Sequence, residues 1–175
     1  MPYSIRLATL ADVPALSDLA ERTFVETFGP TGFDVPYPEA DLSGFLAASY
    51  APEKVAGWIA DPRGHVLVAE DSEGRLVGYA QSGANELPLP GAAPGDGELK
   101  RIYVVRAAQG TGLGRDLLER SLAWLGDRPI LIGVWSLNLK ALRLYGHYGF
   151  ERAGEYEFAV GESRDAEFIL RRLPR

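Results

Sequence analysis

The sequence predicts an α+β fold built around one mixed sheet. Three observations predict it. Strand-like stretches recur along the whole chain, the segments between them carry apolar residues at helical spacing, and residues 98 to 150 alternate strand, glycine turn, helix, strand and helix.

PYSIRLA (2–8) alternates as a strand does. Thr9 and Asp12 then fit a capping box, opening a helix whose Val13, Leu16, Leu19, Ala20 and Phe24 share one face, and Gly29-Pro30 should end it. From Pro36 to Ala60 the chain predicts a Pro-started helix and a shorter one, burying Leu42, Phe45 and Leu46, then Val55, Trp58 and Ile59. HVLVAED and RLVGYAQ, joined by Ser72-Glu73-Gly74, predict a hairpin. Residues 84–97 hold three Pro and three Gly and are expected as loop, either functional or a tolerated surface insertion. Beyond it come a strand (ELKRIYVV), a glycine turn (QGTGLG), a helix (RDLLERSLAWL), a strand (PILIGVW), a helix (NLKALRLYGHY) and two final strands, FERAGEYEFAV and SRDAEFILRRL.

At 175 residues, with 46% hydrophobic and 24% charged positions, the chain is expected to form one domain over 1–175. No apolar run approaches the ~18 to 20 residues that cross a bilayer, and the N-terminus has no basic head followed by an apolar stretch. The expectation is a cytoplasmic protein. Without cysteine there is no disulfide, thiolate nucleophile or Cys-type zinc site, and His65 and His147 are too few for most His-based metal sites, so no metal is expected. Both read as surface or packing residues.

The net charge of −6 argues against nucleic acid and anionic membrane as partners. Residues 1–100 carry 6 Lys/Arg against 15 Asp/Glu, whereas residues 101–175 carry 12 against 9. This is either uneven surface decoration or a polyanionic ligand held by the second half beside a cationic substrate facing the first.

The chemistry concentrates in 98–150. Gly110, Gly112 and Gly114 let the main chain approach a ligand without Cβ obstruction, and the amides and dipole of the helix that follows favour a phosphate; Arg115 can add a charged contact. A dinucleotide fingerprint fails, because Arg115 stands where its third glycine belongs, and a P-loop fails for want of Gly-Lys-Ser/Thr. The spacing Gln109-x-x-Gly112-x-Gly114 after an IYV strand resembles instead the acyl-CoA pyrophosphate loop of the GNAT superfamily of N-acetyltransferases. GVWSLNLKALRLYGHYGF continues the likeness, with an Asn followed by a helix bearing LY and then GF.

The resemblance implies a mostly antiparallel sheet of about seven strands in which two parallel neighbours, ELKRIYVV and PILIGVW, splay apart to admit acetyl-CoA as co-substrate. It implies that main-chain groups of Ile102, Tyr103 and Val104 pair with the pantetheine arm, with a bulge near Val104 or Val105 exposing amides. Gln109 and the run Gly110, Thr111, Gly112, Leu113, Gly114, Arg115 would hold the pyrophosphate. It further implies that Asn138 contacts the pantetheine and that Tyr145 protonates the leaving thiolate. Seven residues apart on one helix, these two share nearly one stripe. Asn138 is also a good helix N-cap, Tyr145 fits core packing beside Leu142, and Tyr148 is a nearby substitute acid.

Glu98 matches a position where many GNAT enzymes place a base, and burial there is expected to raise its pKa; the other reading is an exposed strand-end carboxylate paired with Lys100 or Arg101. The chain looks most like the bacterial spermine/spermidine acetyltransferase branch, through ETFG (26–29), ELxRIYV and LIGVW. Lys100 departs from that branch, where an acidic residue is expected. Gly133 departs from acetyltransferases of protein N-termini, which commonly have glutamate there. Phe28, Tyr37 and Trp135 are candidates to line an acceptor pocket or to belong to the core. The implied activity is direct acetyl transfer to the primary amine of a small cationic molecule such as a polyamine, by a monomer or homodimer. A non-catalytic acetyl-CoA-binding regulator and an enzyme of protein N-termini are the other readings.

Overall fold

The computed structural model describes residues 3–174. Seven strands form one sheet in the order β1-β2-β3-β4-β5-β7-β6: β1 Tyr3–Leu7, β2 His65–Asp71, β3 Leu76–Ala84, β4 Gly97–Val104, β5 Ile130–Trp135, β6 Glu151–Val160 and β7 Ser163–Arg172. Every pairing is antiparallel except β4–β5. Helix α1 (Val13–Phe28) follows a 3-10 turn; α2 (Glu39–Ser49), α3 (Pro52–Ala60), α4 (Leu113–Leu125) and α5 (Leu139–His147) complete the fold. Among the described residues no helix is long and apolar enough to cross a membrane.

Consecutive strand residues face opposite sides. A Cβ on Gly78 would meet Leu113 and Leu117, whereas Tyr79 beside it stacks on Trp58. Helix α4 therefore covers one face of the sheet, and α3, packed on α1, covers the other. Leu16, Leu117, Leu118, Ile130 and Ile169 are fully buried between these layers.

The expected elements form, with shifted ends. The capping box closes a 3-10 turn before α1, with the Thr9 N–H donating to Asp12 Oδ2 at 2.7 Å. Helix α2 begins after Pro38 rather than at Pro36, and of its expected buried residues only Leu46 is fully buried. Ala84 and Gly97 belong to strands, so the loop is 85–96. Helix α4 starts two residues before Arg115, because Gly112, at φ 93°, is already its N-cap.

The bulge is displaced from its expected place. Gly78 pairs with Val104 and the Val105 N–H reaches Val77 O at 2.9 Å, so no bulge lies there. The register slips where Gln81 pairs with Arg101 and Ser82 with Leu99, leaving Lys100 as the extra residue. That slip puts Glu98, Lys100, Arg101 and Tyr103 around one cavity.

Near the sheet's edge Arg6 of β1 holds two carboxylates, Asp12 at 2.7 Å and Glu70 of β2 at 2.5 Å. The Arg6 hydrogen bond, with help from Thr9, holds the Asp12 carboxyl well below its ordinary value. A carboxylate whose folded pKa is depressed stabilises above its unfolded pKa and loses that contribution as pH falls through the folded one. Asp12→Asn should therefore cost about 1–2 kcal/mol in urea unfolding at neutral pH, with the difference from wild type shrinking as the solution is acidified below pH ~4.

Candidate active site

Strands β4 and β5 pair only at Gly97 with Ile130 and Glu98 with Leu131, then separate. Beyond Glu98, the edge of β4 that faces β5 is unpaired through Val104, while β3 pairs the opposite edge as far as Val104. Backbone groups on an open edge require partners.

Two adjoining cavities, about 690 and 840 Å³, run from this gap between α4 and α5. Ile102, Tyr103 and Val104 line the first, with Asn138 and Tyr145 on its α5 wall. Gly110, Thr111 and Gly112 line the second, and Gln109, Gly114 and Arg115 touch both. Leu113 is wholly buried and lines neither cavity, unlike its expected neighbours in the turn.

Gly110 and Gly112 sit at φ 78° and 93°, where a side chain is strained, and an added Cβ would meet nothing within 4 Å at Gly110 and only Tyr3 Oη at 3.8 Å at Gly112. Gln109 Nε2 donates to Val104 O at 3.2 Å and Thr111 Oγ1 to Ala108 O at 2.7 Å, which fixes the turn from within. The first α4 amide bonded back within the helix is that of Asp116, donating to Gly112 O at 3.1 Å. The amides of Gly114 and Arg115 therefore have no acceptor within the helix, and with the helix dipole behind them the arrangement suits an anion. Lys140 adds positive charge to both cavities and Arg143 to the first.

Asn138 caps α5, its Oδ1 accepting the Ala141 N–H at 3.1 Å, and it also borders the first cavity. Tyr145 packs edge-on to Phe150, is 6% exposed, and reaches a throat of about 110 Å³ between the separated strands. Among the described residues its hydroxyl has no hydrogen-bond partner, and burial raises its pKa to about 12. Tyr148 stands at the outer rim, its hydroxyl donating to Glu119 at 2.8 Å, and does not line the throat. His65 stacks on Trp124, and His147 Nδ1 lies 2.7 Å from Arg143 O on the surface.

Past the throat lies an inner cavity of about 260 Å³. Phe28 and Tyr37 line it, and Trp135 lines the throat. Glu98 is buried on its wall rather than exposed, with Oε2 accepting the Glu86 N–H at 2.7 Å and Lys100 Nζ at 3.3 Å. Lys100 also bridges Glu86 at 3.0 Å. The expected Lys100 pair thus exists, in a buried setting.

Sequence reasoning passed over Asp165, Glu167 and Tyr156. Tyr37 Oη donates to Asp165, and Tyr156 Oη to Glu167 Oε2 at 2.5 Å. A signal was present: Asp165 and Glu167 occupy the same strand phase as buried Ile169, where apolar residues belong. Among the described residues no group of acidic or His side chains could hold a metal.

An open strand edge leads to a glycine-capped helix N-terminus, with a buried tyrosine at their junction, an arrangement suited to an extended ligand that ends in a phosphate. The sequence profile of the acetyltransferase (GNAT) family matches residues 14–150, and the chain belongs to that family. It is 29% identical over 165 residues, 92% of this chain and 91% of the other, to an uncharacterized N-acetyltransferase in the pepI 3' region of Lactobacillus delbrueckii subsp. lactis. It is 32% identical to the N-alpha-acetyltransferase RimI of Mycobacterium tuberculosis, covering 87% and 81%, and 31% identical over 90 residues to the spermine/spermidine N(1)-acetyltransferase of Bacillus subtilis, covering 49% and 59%. Its fold matches the PaiA N-acetyltransferase of Thermoplasma acidophilum, solved with coenzyme A, with TM-score 0.74 and 18% identity over 99% of both chains. YncA of Salmonella typhimurium, a putative acetyltransferase solved with acetyl-CoA, matches with TM-score 0.62 and 26% identity over 100% of this chain and 96% of that one. The protein is an acetyl-CoA-dependent N-acetyltransferase.

The glycine turn gives a direct check. Gly112→Val should cost roughly 1–2 kcal/mol in stability from the left-handed backbone. It should also remove the thermal stabilisation that saturating acetyl-CoA gives the wild type. Retained stabilisation would place the anion site elsewhere.

Proposed function

We propose that the acceptor is the primary amine of a small cationic molecule of the polyamine kind, acetylated by direct transfer. The observation that carries this reading is the throat: Tyr145 joins the cofactor cavity to an inner cavity whose walls bear Glu86, Glu98, Asp165 and Glu167 against Lys100 and Arg101. Excess negative charge attracts a polycation, and Phe28 and Tyr37 suit its methylene chain. Gly133 supports a small amine over a protein N-terminus, since a Cβ there would come within 2.6 Å of Tyr156 Oη, which fills the place of a glutamate side chain. The relatives of polyamines and of N-alpha groups leave both acceptor types in view; the inner cavity favours the first.

Acetyl-CoA supplies the activated acetyl group. In this proposal the open β4 edge at Ile102, Tyr103 and Val104 aligns the pantetheine arm, the 110–115 turn holds the pyrophosphate with Gln109 bracing it, and Asn138 steadies the arm through its Nδ2 group. Tyr145 gives its proton to the departing sulfur, and its raised pKa keeps that proton in place at neutral pH. An alkylamine of pKa ~10.4 must first lose a proton, which a carboxylate on the acceptor side receives. Glu98, buried on the wall of the inner cavity, passes that proton onward through water.

The test is acetyl-CoA turnover with thiol detection across polyamines, aminoglycosides, amino acids and N-terminal peptides. Polyamines should be used fastest, with an acceptor KM that rises with ionic strength; a neutral or anionic acceptor used faster than every polyamine would overturn the reading. Tyr145→Phe should lower kcat by about 10²- to 10⁴-fold with little change in KM for acetyl-CoA. Because burial raises the Tyr145 pKa, the wild-type kcat should show no alkaline loss attributable to this tyrosine until pH nears about 12. Glu98→Gln should lower kcat/KM for the amine and spare KM for acetyl-CoA.

A further inference from the structure

The geometry points to Glu167 of β7 as a further catalytic residue, the carboxylate that meets the acceptor nitrogen at the throat and takes its proton. The inference rests on the acetyl transfer proposed above and names the group that makes it work. Four acidic side chains line the inner cavity, and Glu167 alone among them also lines the throat where Tyr145 stands. Glu98 does not reach that throat and is already bound by Lys100 and the Glu86 amide.

Glu167 is brought there by the strand order. Placing β7 between β5 and β6 puts Glu167 opposite Trp135 on one side and Tyr156 on the other. The missing side chain at Gly133 leaves the room it fills, since a Cβ there would lie 3.0 Å from Glu167 Oε2. Tyr156 occupies Oε2, and no hydrogen bond to Oε1 occurs among the described residues. Tyr145, 6% exposed and with no hydrogen-bond partner for its hydroxyl among the described residues, shares the throat, so a proton acceptor and a proton donor flank the space where the thioester carbonyl and amine must meet.

Burial, the largest influence, raises the pKa of Glu167; Asp165 raises it further, and the Tyr156 hydrogen bond opposes both. Around it stand Tyr156 of β6, Asp165 of β7, Tyr103, Glu98, Lys100 and Arg101 of β4, and Tyr37 ahead of α2, while β5 and α1 contribute Trp135 and Phe28. A carboxylate lifted toward neutrality is a better match for an ammonium proton than an ordinary one.

The step balances. The ammonium gives one proton to Glu167, and the freed lone pair forms the C–N bond as the C–S bond breaks. The sulfur takes the Tyr145 proton, the nitrogen's remaining extra proton restores Tyr145, and Glu167 releases its own to solvent. One ammonium and one thioester become one amide, one thiol and one proton.

Three measurements test this with spermidine as acceptor probe. Glu167→Gln should lower kcat/KM for the amine by about 10²- to 10⁴-fold and abolish its acidic limb, with acetyl-CoA affinity by calorimetry unchanged. Tyr156→Phe keeps the carboxylate but removes the bond that lowers its pKa, so the acidic limb should move to higher pH. In the wild type with carboxyl-labelled glutamate, the signal lost in Glu167→Gln should titrate above the ordinary ~4.3 of glutamate, a readout that needs no turnover. A titration at or below that value, or an unaltered limb in Glu167→Gln, overturns the role. If no amine in the screen is acetylated while the titration stands raised, the acceptor assignment fails and the perturbed carboxylate remains.

Discussion

The gap between β4 and β5 is the constraint on which the rest of this molecule depends. Two parallel strands part after two residue pairs, yet the sheet survives because each is fully held on its other side, β4 by β3 and β5 by β7. The extra residue at Lys100, just past the last shared pair, adds local twist where the strands diverge. What this exposes is a row of main-chain groups that no side chain has to supply. In the binding mode proposed above, a thioester cofactor carrying amides of its own would complete the sheet, which would make the binding site and the defect in the ladder one feature.

The same gap sorts charge. On the α4–α5 side, the helix amides, Arg115, Arg143 and Lys140 border the cavities with positive charge. On the other side, carboxylates line the inner cavity. The uneven charge of the two halves anticipates such a division, but not its source, because two of the four inner carboxylates come from the more basic second half. A linear charge balance cannot foresee that β7 is threaded back beside β5.

Much of the fold was legible, and for definite reasons. Alternation in β1, the strand composition of β2 and β3, the helical faces of α1 and α4, and the glycines of the 110–114 turn are local signals, and each appears where local rules put it. The GNAT likeness supplied the splayed parallel pair, which no local rule predicts. The bulge was misplaced because slippage in a ladder depends on the partner strand, and nothing around Lys100 marks it. The 85–96 loop reads from sequence as Pro/Gly punctuation; only in three dimensions do Glu86 and Leu87 close the inner cavity. Glu167 needed the β5–β7–β6 order before its position meant anything.

Lys100, the departure from the polyamine-enzyme pattern, gains a physical meaning from its neighbours. Its ammonium lies within 3.3 Å of Glu98 and 3.0 Å of Glu86, so the deep end of the cavity carries its own counter-charge. Arg101 is turned aside, its guanidinium over the Trp58 ring at 4.6 Å and bonded to Gln81 at 2.6 Å. Asp165 and Glu167 have tyrosine hydroxyls as partners and, among the described residues, no ion pair. Hydroxyls donate hydrogen bonds but cancel no charge, so Asp165 and Glu167 lack the cationic partner that Lys100 gives Glu98 and Glu86, although Lys100 and Arg101 also border the throat. For the cationic acceptor proposed above, Asp165 and Glu167 would then be the carboxylates left to meet it, while a lysine that looks unfavourable for binding a polycation would occupy Glu98 and Glu86 instead.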